Sequence, residues 1–219
     1  MAMLLQGVHP FIVFNGPLRP KAKLKTESTH RSENEKNPRQ IIPKLQEDCI
    51  KYLEEIKVRH IVSPYEADAQ LAYLARSGYI DVVMSQDSDM LVYGCPAVVC
   101  KMNLLRMPRS SHITTAKMGM GIEVTLERLL AKWNMSFESF QDMCILAGNS
   151  YTRSLPGASL NTAYKDIIQF GTLEKHGYLD QQPNYHQECL LAKETLRNQP
   201  IRHCGSSNAV VPLSQAIEE

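Results

Sequence analysis

Residues 64–74 read PYEADAQLAYL, and residues 86–89 read QDSD. Each stretch holds two carboxylates one residue apart: Glu66 and Asp68, then Asp87 and Asp89. Three features separate the two pairs: a helix-like apolar pattern, a stop at Gly78 and a strand-like run over residues 79–84. This order predicts a strand–loop–helix–loop–strand unit. Both pairs would then lie near the carboxyl ends of parallel strands, where open α/β sheets bind their ligands.

The chemistry of these acids favours a divalent-metal site. Each pair alone has a structural explanation, because acids suit helix starts and Asp-Ser-Asp suits a turn. Together they place a local charge of about −4 at one edge, which is costly unless cations bind there. Oxygen-only clusters suit Mg²⁺ or Mn²⁺. Such a site fits phosphodiester hydrolysis, in which two ions activate a water nucleophile and stabilise the leaving oxygen.

Length and composition describe an ordinary globular chain. Its 219 residues suffice for one domain, or for a domain with an appendage. The net charge of +1 excludes a global polybasic surface, so any contact with nucleic acid must come from local patches. The six cysteines lack CxxC spacing and favour reduced thiols. No signal peptide or transmembrane run is predicted, and an intracellular location is expected.

Periodicity outlines the elements around the acidic pairs. Strands are predicted at residues 11–14, 59–62, 79–84 and 97–102. Helices are predicted at residues 41–58, from Pro64 onward with Ser63 as N-cap, and at 90–93, 122–133, 137–146 and 161–170. From about Gln182 the pattern weakens, and the last fifteen residues have the composition of a tail.

Two segments have both a structural and a functional interpretation. Residues 18–40 are basic and almost free of large apolar side chains, so they fit a solvated loop or a segment that contacts a phosphate backbone. A glycine-bearing turn near residues 155–158 precedes a helix. Such a turn presents N–H groups to a phosphate, or merely joins two helices.

The motifs resemble a known family. PYEADAQLAYL at 64–74 and QDSDML at 86–91 strongly resemble the internal motif of the 5′ nucleases related to exonuclease 1 and flap endonuclease. FIVFNG at 11–16 is similar to that family's strand ending in Asp-Gly. MCILAG at 143–148 is similar to the helix before its last metal aspartate. The resemblance covers about residues 1–171 and is strongest to exonuclease 1.

The resemblance implies a fold and a domain organisation. The fold class is α/β, with a mainly parallel central sheet flanked by helices and a C-terminal helix-two-turn-helix-like part. The nuclease core would span residues 1–148, with the internal motif at about 41–115 and a basic arch-like insert at 18–40. Residues 149–181 would grip DNA. Residues 182–219 would form a partly disordered C-terminal extension.

The resemblance also implies an activity and its residues. The family hydrolyses DNA at 5′ ends, flaps or nicks in repair or recombination, which implies DNA and repair proteins as partners, a nuclear location and no membrane. Two Mg²⁺ (or Mn²⁺) ions serve the reaction. The implied metal-binding and catalytic carboxylates are Glu66, Asp68, Asp87 and Asp89, with Lys21 as a catalytic arch lysine. The implied DNA-binding residues are Lys21, Lys23, Lys25, Arg31, Gly157 and Ser159.

Several departures from the family pattern predict impaired activity. Asn15 and Ser150 stand where the family has metal aspartates, and Ser159 and Thr162 replace a glycine and a basic residue of the phosphate-gripping turn. The family's first strand, with its aspartate, has no counterpart after Met1. We therefore expect one metal ion or none. The alternative function is a catalytically inactive DNA- or partner-binding module, and the chain could also continue upstream of Met1.

Overall fold

A strand–helix–strand unit opens the described part of the chain. A computed structural model describes residues 7–22, 41–101, 121–154, 159–175, 182–204 and 209–218. The unit consists of strand β1 at Phe11–Phe14, helix α1 at Ile41–Glu55 and strand β2 at Arg59–Val62. β1 and β2 pair in parallel, with Phe11 opposite Arg59 and Phe14 opposite Val62. All three elements agree with the sequence prediction.

The second unit carries the acidic pairs. It contains helix α2 at Ala67–Arg76, strand β3 at Val83–Met84, helix α3 at Asp89–Val92, strand β4 at Ala97–Cys100 and strand β5 at Ile122–Thr125. β3 pairs in parallel with β4, and β5 pairs antiparallel on the other edge of β4. Buried Ala72, Leu74 and Met90 form the core between α2 and α3.

Two predicted helix starts were wrong. α2 begins at Ala67 and not at Pro64, because the Ser63 backbone N–H donates to Phe14 O at 3.0 Å and Glu66 takes the N-cap position. The Ser63 hydroxyl lies 2.8 Å from Phe14 O and does not cap the helix. The helix predicted from Ile122 begins at Leu126, because the β-branched residues before it pair with β4. The strand predicted over 79–84 is reduced to its last two residues.

The second half of the chain is mainly helical. It contains α4 at Leu126–Trp133, α5 at Phe137–Ala147, α6 at Leu160–Phe170, a 3₁₀ helix at Leu173–Lys175, α7 at Pro183–Asn198, β6 at Pro200–Arg202, β7 at Val210–Pro212 and α8 at Gln215–Glu218. Ser136 caps α5, since its Oγ accepts a hydrogen bond from Ser139 N at 3.1 Å. The helices predicted for α5 and α6 are confirmed.

Residues after Gln182 pack into the core, where the sequence suggested a weakly structured extension with a terminal tail. α7 runs for 16 residues and buries Cys189 and Leu196, while Ile201 and Leu213 are buried beyond it. The side-chain amide of Gln70, in α2, bonds to this segment through both its nitrogen and its oxygen. Its Nε2 donates to Arg202 O at 2.9 Å, and its Oε1 accepts from Arg202 N at 2.7 Å. The assignment of residues 149–181 and 182–219 to separate domains stays a prediction.

The α/β class is confirmed, although the described strands pair as three small sheets and not as one continuous sheet. The two β-α-β units supply the parallel pairs, and β4–β5 and β6–β7 are antiparallel. β3 has only two residues, which is too short a strand to bond fully to neighbours on both edges. Within the described ranges, no helix is long and apolar enough to cross a bilayer.

A buried lysine joins α5, the 3₁₀ helix and α7. Lys193 Nζ lies 2.8 Å from Asp142 Oδ1 and 2.8 Å from Glu174 Oε1. Asp142 is fully buried, and burial raises the pKa of its carboxyl group. At Glu174, burial opposes ionisation, but the hydrogen bond from Lys193 prevails and lowers the pKa to about 2. The ammonium group therefore neutralises a carboxylate that has no access to water.

We predict that Lys193→Met lowers the free energy of unfolding by about 3–5 kcal/mol, because it leaves the Asp142 charge buried and uncompensated. Adding Asp142→Asn should recover most of the loss, since the amide oxygen can still accept from Leu173 N. Chemical denaturation measures both values. The control is Lys165→Met on the exposed face of α6. A loss for Lys193→Met no larger than that of the control would contradict the prediction.

Candidate metal and nucleic-acid site

The two acidic pairs follow strands β2 and β3, as the sequence predicts. Glu66 lies directly before α2, and Asp68 lies in its first turn. Asp89 begins α3, where its backbone N–H donates to Asp87 Oδ1 at 2.9 Å. Asp87 is exposed, whereas Asp68 and Asp89 are partly buried. The pairs thus retain the placement at strand ends that suggested a ligand site.

The charges of three of these carboxylates act on the hydroxyl of one buried tyrosine, Tyr93. Burial raises the pKa of the Tyr93 hydroxyl well above its usual value. Three nearby negative charges raise that pKa further: those of Glu66, Asp68 and Asp89. Glu66, Asp68 and Asp89 are therefore close enough to Tyr93 for their charges to act on its hydroxyl. Asp87 lies farther out, at the surface.

Glu66 is the most deeply placed of the four acids, with 2% of its surface exposed. The Tyr151 hydroxyl donates a hydrogen bond to Glu66 Oε2. Arg19 Nη1 lies 3.4 Å from Glu66 Oε1. Gln199 Nε2 lies 3.4 Å from the backbone oxygen of Glu66. Three distant parts of the sequence therefore meet at Glu66, two at its carboxylate and one at its backbone oxygen.

The loop after α5 brings Tyr151 and Ser150 to the site. Asn149 Oδ1 accepts from Tyr151 N at 2.8 Å and from Thr152 N at 3.0 Å, which closes a tight turn. Gly148 has φ = 91°, and a Cβ there would lie 2.7 Å from Ser154 N, so the turn requires glycine. Ser150 donates its backbone N–H to Asp89 Oδ2 at 3.3 Å. Ser150 therefore lies beside Asp89, and its backbone amide makes the contact.

Asn15 has a structural task in this fold. Its Oδ1 accepts from Ala67 N at 2.7 Å, so a residue after β1 caps α2 from outside the helix. Glu66 occupies the N-cap position but makes no side-chain cap bond. Gly16 permits this close approach, because a Cβ there would lie 2.0 Å from Ser63 O. The side chain at the family's aspartate position therefore stabilises a helix start.

The described residues do not fit a two-ion centre. No group of three or more His, Cys, Asp or Glu side chains within the described ranges is arranged to hold a metal ion. The amide at Asn15 caps a helix, and Ser150 provides no carboxylate. Glu66 is surrounded by hydrogen-bond donors of the protein itself. Asp68, Asp87 and Asp89 are the acids that keep access to solvent.

The residues predicted to contact DNA divide into two groups. Lys21 is exposed, two positions after Arg19, which contacts Glu66. Ser159 caps α6, and its Oγ accepts from Thr162 N at 3.2 Å. The remaining predicted residues lie outside the described ranges: Lys23, Lys25, Arg31 and Gly157. Contact of any of these residues with DNA stays a prediction.

Four residues of the site were not singled out from the sequence: Arg19, Tyr93, Tyr151 and Gln199. Arg19 was treated only as one of many charges in the basic segment. Tyr151 stands beside Ser150 and Tyr93 follows the second acidic pair, so proximity to the motifs was a usable signal. Gln199 lies 133 positions from Glu66, and no local pattern identifies it.

Comparisons with known proteins agree with this geometry. Residues 57–150 match the family model described as the XPG I-region. Exonuclease 1 of Arabidopsis thaliana is 28% identical over 227 residues, covering 89% of this chain and 29% of that protein. Flap endonuclease 1 of Phytophthora infestans is 29% identical over 221 residues, covering 91% of this chain and 54% of that protein. This chain therefore carries an XPG I-region and is similar to the exonuclease 1 and flap endonuclease 1 proteins.

Solved structures of this family share the fold. The flap endonuclease-1 of Methanococcus jannaschii superposes with a TM-score of 0.63 at 23% identity, covering 89% of this chain and 63% of that one. The catalytic core of Rad2 in complex with DNA substrate gives 0.61 at 20% identity, covering 88% and 60%. The present chain thus spans about half of the flap endonuclease 1 relative and under a third of the exonuclease 1 relative.

We predict that Asn15→Ala lowers the free energy of unfolding by about 1 kcal/mol, the usual loss for an N-cap replaced by alanine. The effect arises because the first N–H of α2 loses its acceptor. Urea denaturation provides the measurement. The matched control is Asn161→Ala, an exposed asparagine in the first turn of α6. If both variants unfold at the same urea concentration, Asn15 does not cap α2.

Proposed function

We propose that this chain is a DNA-binding member of the exonuclease 1 and flap endonuclease family whose phosphodiester hydrolysis is strongly impaired. One observation carries the proposal. At three positions where the family has metal-ligating carboxylates, this chain has a helix-capping amide at Asn15, a residue without a carboxylate at Ser150, and a buried, internally bonded Glu66. Hydrolysis by two ions needs carboxylates that hold both ions and leave positions open for water and phosphate.

The proposed ligand is DNA with 5′ ends, flaps or nicks. Structures of relatives support this choice: Rad2 was solved in complex with DNA substrate, and GEN1 with Holliday junction DNA. In this chain, the contact between Arg19 and Glu66 holds the exposed Lys21 near the acidic edge. The N-terminus of α6, capped by Ser159, offers backbone N–H groups that suit a phosphate.

A second candidate is a weak metal-dependent nuclease. Asp68, Asp87 and Asp89 favour it, because these three acids remain accessible to solvent on one side of the fold. GEN1 was solved with product DNA and Mg²⁺, so a structural neighbour of this chain binds that ion. For either candidate we propose a role in DNA repair or recombination, a nuclear location, and DNA repair proteins as partners. Mg²⁺ or Mn²⁺ would be the cofactor of the second.

We predict that the chain binds a nicked 5′-flap duplex with a steep salt dependence and leaves it uncut in Mg²⁺ or Mn²⁺. Fluorescence anisotropy measures binding, and gel electrophoresis of end-labelled strands measures cleavage. Lys21→Ala should reduce the slope of log K against log salt by about 1, since it removes one phosphate contact. Lys132→Ala, an exposed lysine on α4, is the matched control.

Two results would contradict the proposal. Robust cleavage that Asp87→Ala abolishes and Asp81→Ala leaves intact would establish the weak-nuclease candidate or a full enzyme. Asp81 suits this comparison because it is also an exposed aspartate, six residues upstream. Binding that does not respond to salt, or that is equal for Lys21→Ala and wild type at every salt concentration, would exclude the proposed phosphate contact.

A further inference from the structure

The buried carboxylate of Glu66 needs a positive partner, and the chain itself supplies one. A buried, unpaired carboxylate is strongly unfavourable, because it loses hydration without gaining a counter-charge. The side chain of Glu66 is 2% exposed, whereas that of Arg19 is 45% exposed, with Nη1 3.4 Å from Oε1. The guanidinium group therefore lies between the carboxylate and solvent. It is the positive group that contacts Oε1.

The second carboxylate oxygen is satisfied from the protein interior. The Tyr151 hydroxyl donates a hydrogen bond to Glu66 Oε2, and the Tyr151 side chain is itself buried. The Tyr151 hydroxyl is also hydrogen-bonded to the Tyr93 hydroxyl. The Tyr93 hydroxyl in turn lies 2.9 Å from Gln199 Oε1. Both oxygens of Glu66 thus have protein partners.

We propose that Arg19 and Tyr151 take the place of a divalent cation at Glu66, so that this acidic site is neutralised and closed without metal. Arg19 supplies the positive charge that a metal ion would otherwise provide. Tyr151 supplies a hydrogen bond to the second carboxylate oxygen, which a bound metal ion would make unnecessary. Gln199 completes the closure, because it joins Tyr93 to the Glu66 backbone. The network of Arg19, Glu66, Tyr93, Tyr151 and Gln199 is here named the Glu66 lock.

The lock also fixes the start of the basic segment that begins at residue 18. Arg19 belongs to that segment, so its ion pair anchors the first residues of the segment to the acidic edge. The inference goes beyond the proposed function, because it concerns the charge balance of the folded chain and requires no DNA. The lock and DNA binding can therefore fail independently.

Thermal unfolding of the full chain tests the lock, with EDTA, Mg²⁺ or Mn²⁺ as the probe. A cation that binds only the folded state raises Tm in proportion to its occupancy. We expect wild-type Tm to be equal in all three conditions. Arg19→Gln should lower Tm in EDTA by about 2–4 °C, the shift for loss of roughly 1 kcal/mol in a domain of this size. Mn²⁺ should then restore Tm, because Glu66 has lost its guanidinium partner.

Arg197→Gln is the matched control for this substitution. Arg197 is 41% exposed and its Nη2 lies 2.8 Å from Glu138 Oε1, but that glutamate is itself exposed. Both variants lose an arginine–glutamate pair, and only Arg19→Gln uncovers a buried carboxylate. We expect Arg197→Gln to shift Tm little and to show no response to Mn²⁺. An equal response of the two variants to Mn²⁺ would overturn the proposal.

A second pair of variants keeps the test decisive if Arg19→Gln does not fold. Tyr151→Phe should lower Tm more than Tyr164→Phe, whose hydroxyl lies 3.4 Å from Trp133 O in a partly buried position. Glu66→Gln should also lower Tm in EDTA, because it removes the charge that Arg19 pairs with. A wild-type Tm that rises saturably with Mn²⁺ and loses that rise in Glu66→Gln, or a Glu66→Gln variant more stable than wild type in EDTA, would overturn the proposal.

Discussion

A buried negative charge constrains the arrangement of this fold. Glu66 is 2% exposed at the start of α2, and a carboxylate in that position must be surrounded by donors. The donors to the carboxylate come from the loop after β1 and from the turn after α5, and the residue after α7 donates to the backbone oxygen of Glu66. Each of these segments must be in place for Glu66 to be accommodated. The position of one side chain thus links the parallel strands to the helical half.

Asn15 and Gly16 extend the same constraint to the backbone. The amide of Asn15 caps α2 at Ala67, and the lack of a side chain at Gly16 lets the two segments approach closely. An aspartate at position 15 would add a negative charge to a site that already holds several. An asparagine keeps the capping acceptor without that charge. An asparagine at position 15 therefore suits a site built around internal hydrogen bonds.

Local sequence patterns predicted most of the helices and strands. The wrong predictions fall where a residue bonds to a strand that is distant in sequence. The apolar run at Phe11–Phe14 and the PYEADAQLAYL motif predicted the two β-α-β units, since buried strands and amphipathic helices have clear periods. Ile122–Thr125 was assigned to a helix because the sequence does not show that β4 is available as a partner. Ser63 was assigned as a cap on residue type alone, although its hydroxyl lies beside the Phe14 carbonyl oxygen.

The acids of the site were predictable, but their partners were not. Glu66, Asp68, Asp87 and Asp89 stand in motifs whose spacing predicted a common location, and the two pairs follow β2 and β3. Arg19 and Gln199 reach Glu66 from 47 and 133 residues away, so no window of sequence contains the contact. Whether an acid binds a metal or an internal donor depends on these distant partners. Asn15 and Ser150 predict an impaired metal site from the sequence, but the donors that surround Glu66 are visible only in three dimensions.

The reciprocal amide contact between Gln70 and Arg202 has a consequence for the order of folding. These residues are 132 positions apart, and β6 packs on a helix formed from the first third of the chain. Contacts of such long range form late, because the loop-closure entropy must be overcome first. During synthesis, α2 leaves the ribosome well before its partner strand does. Buried Gln70 and Glu66 must therefore remain hydrated until the last segment arrives, and the acidic edge stays open to solvent throughout that interval.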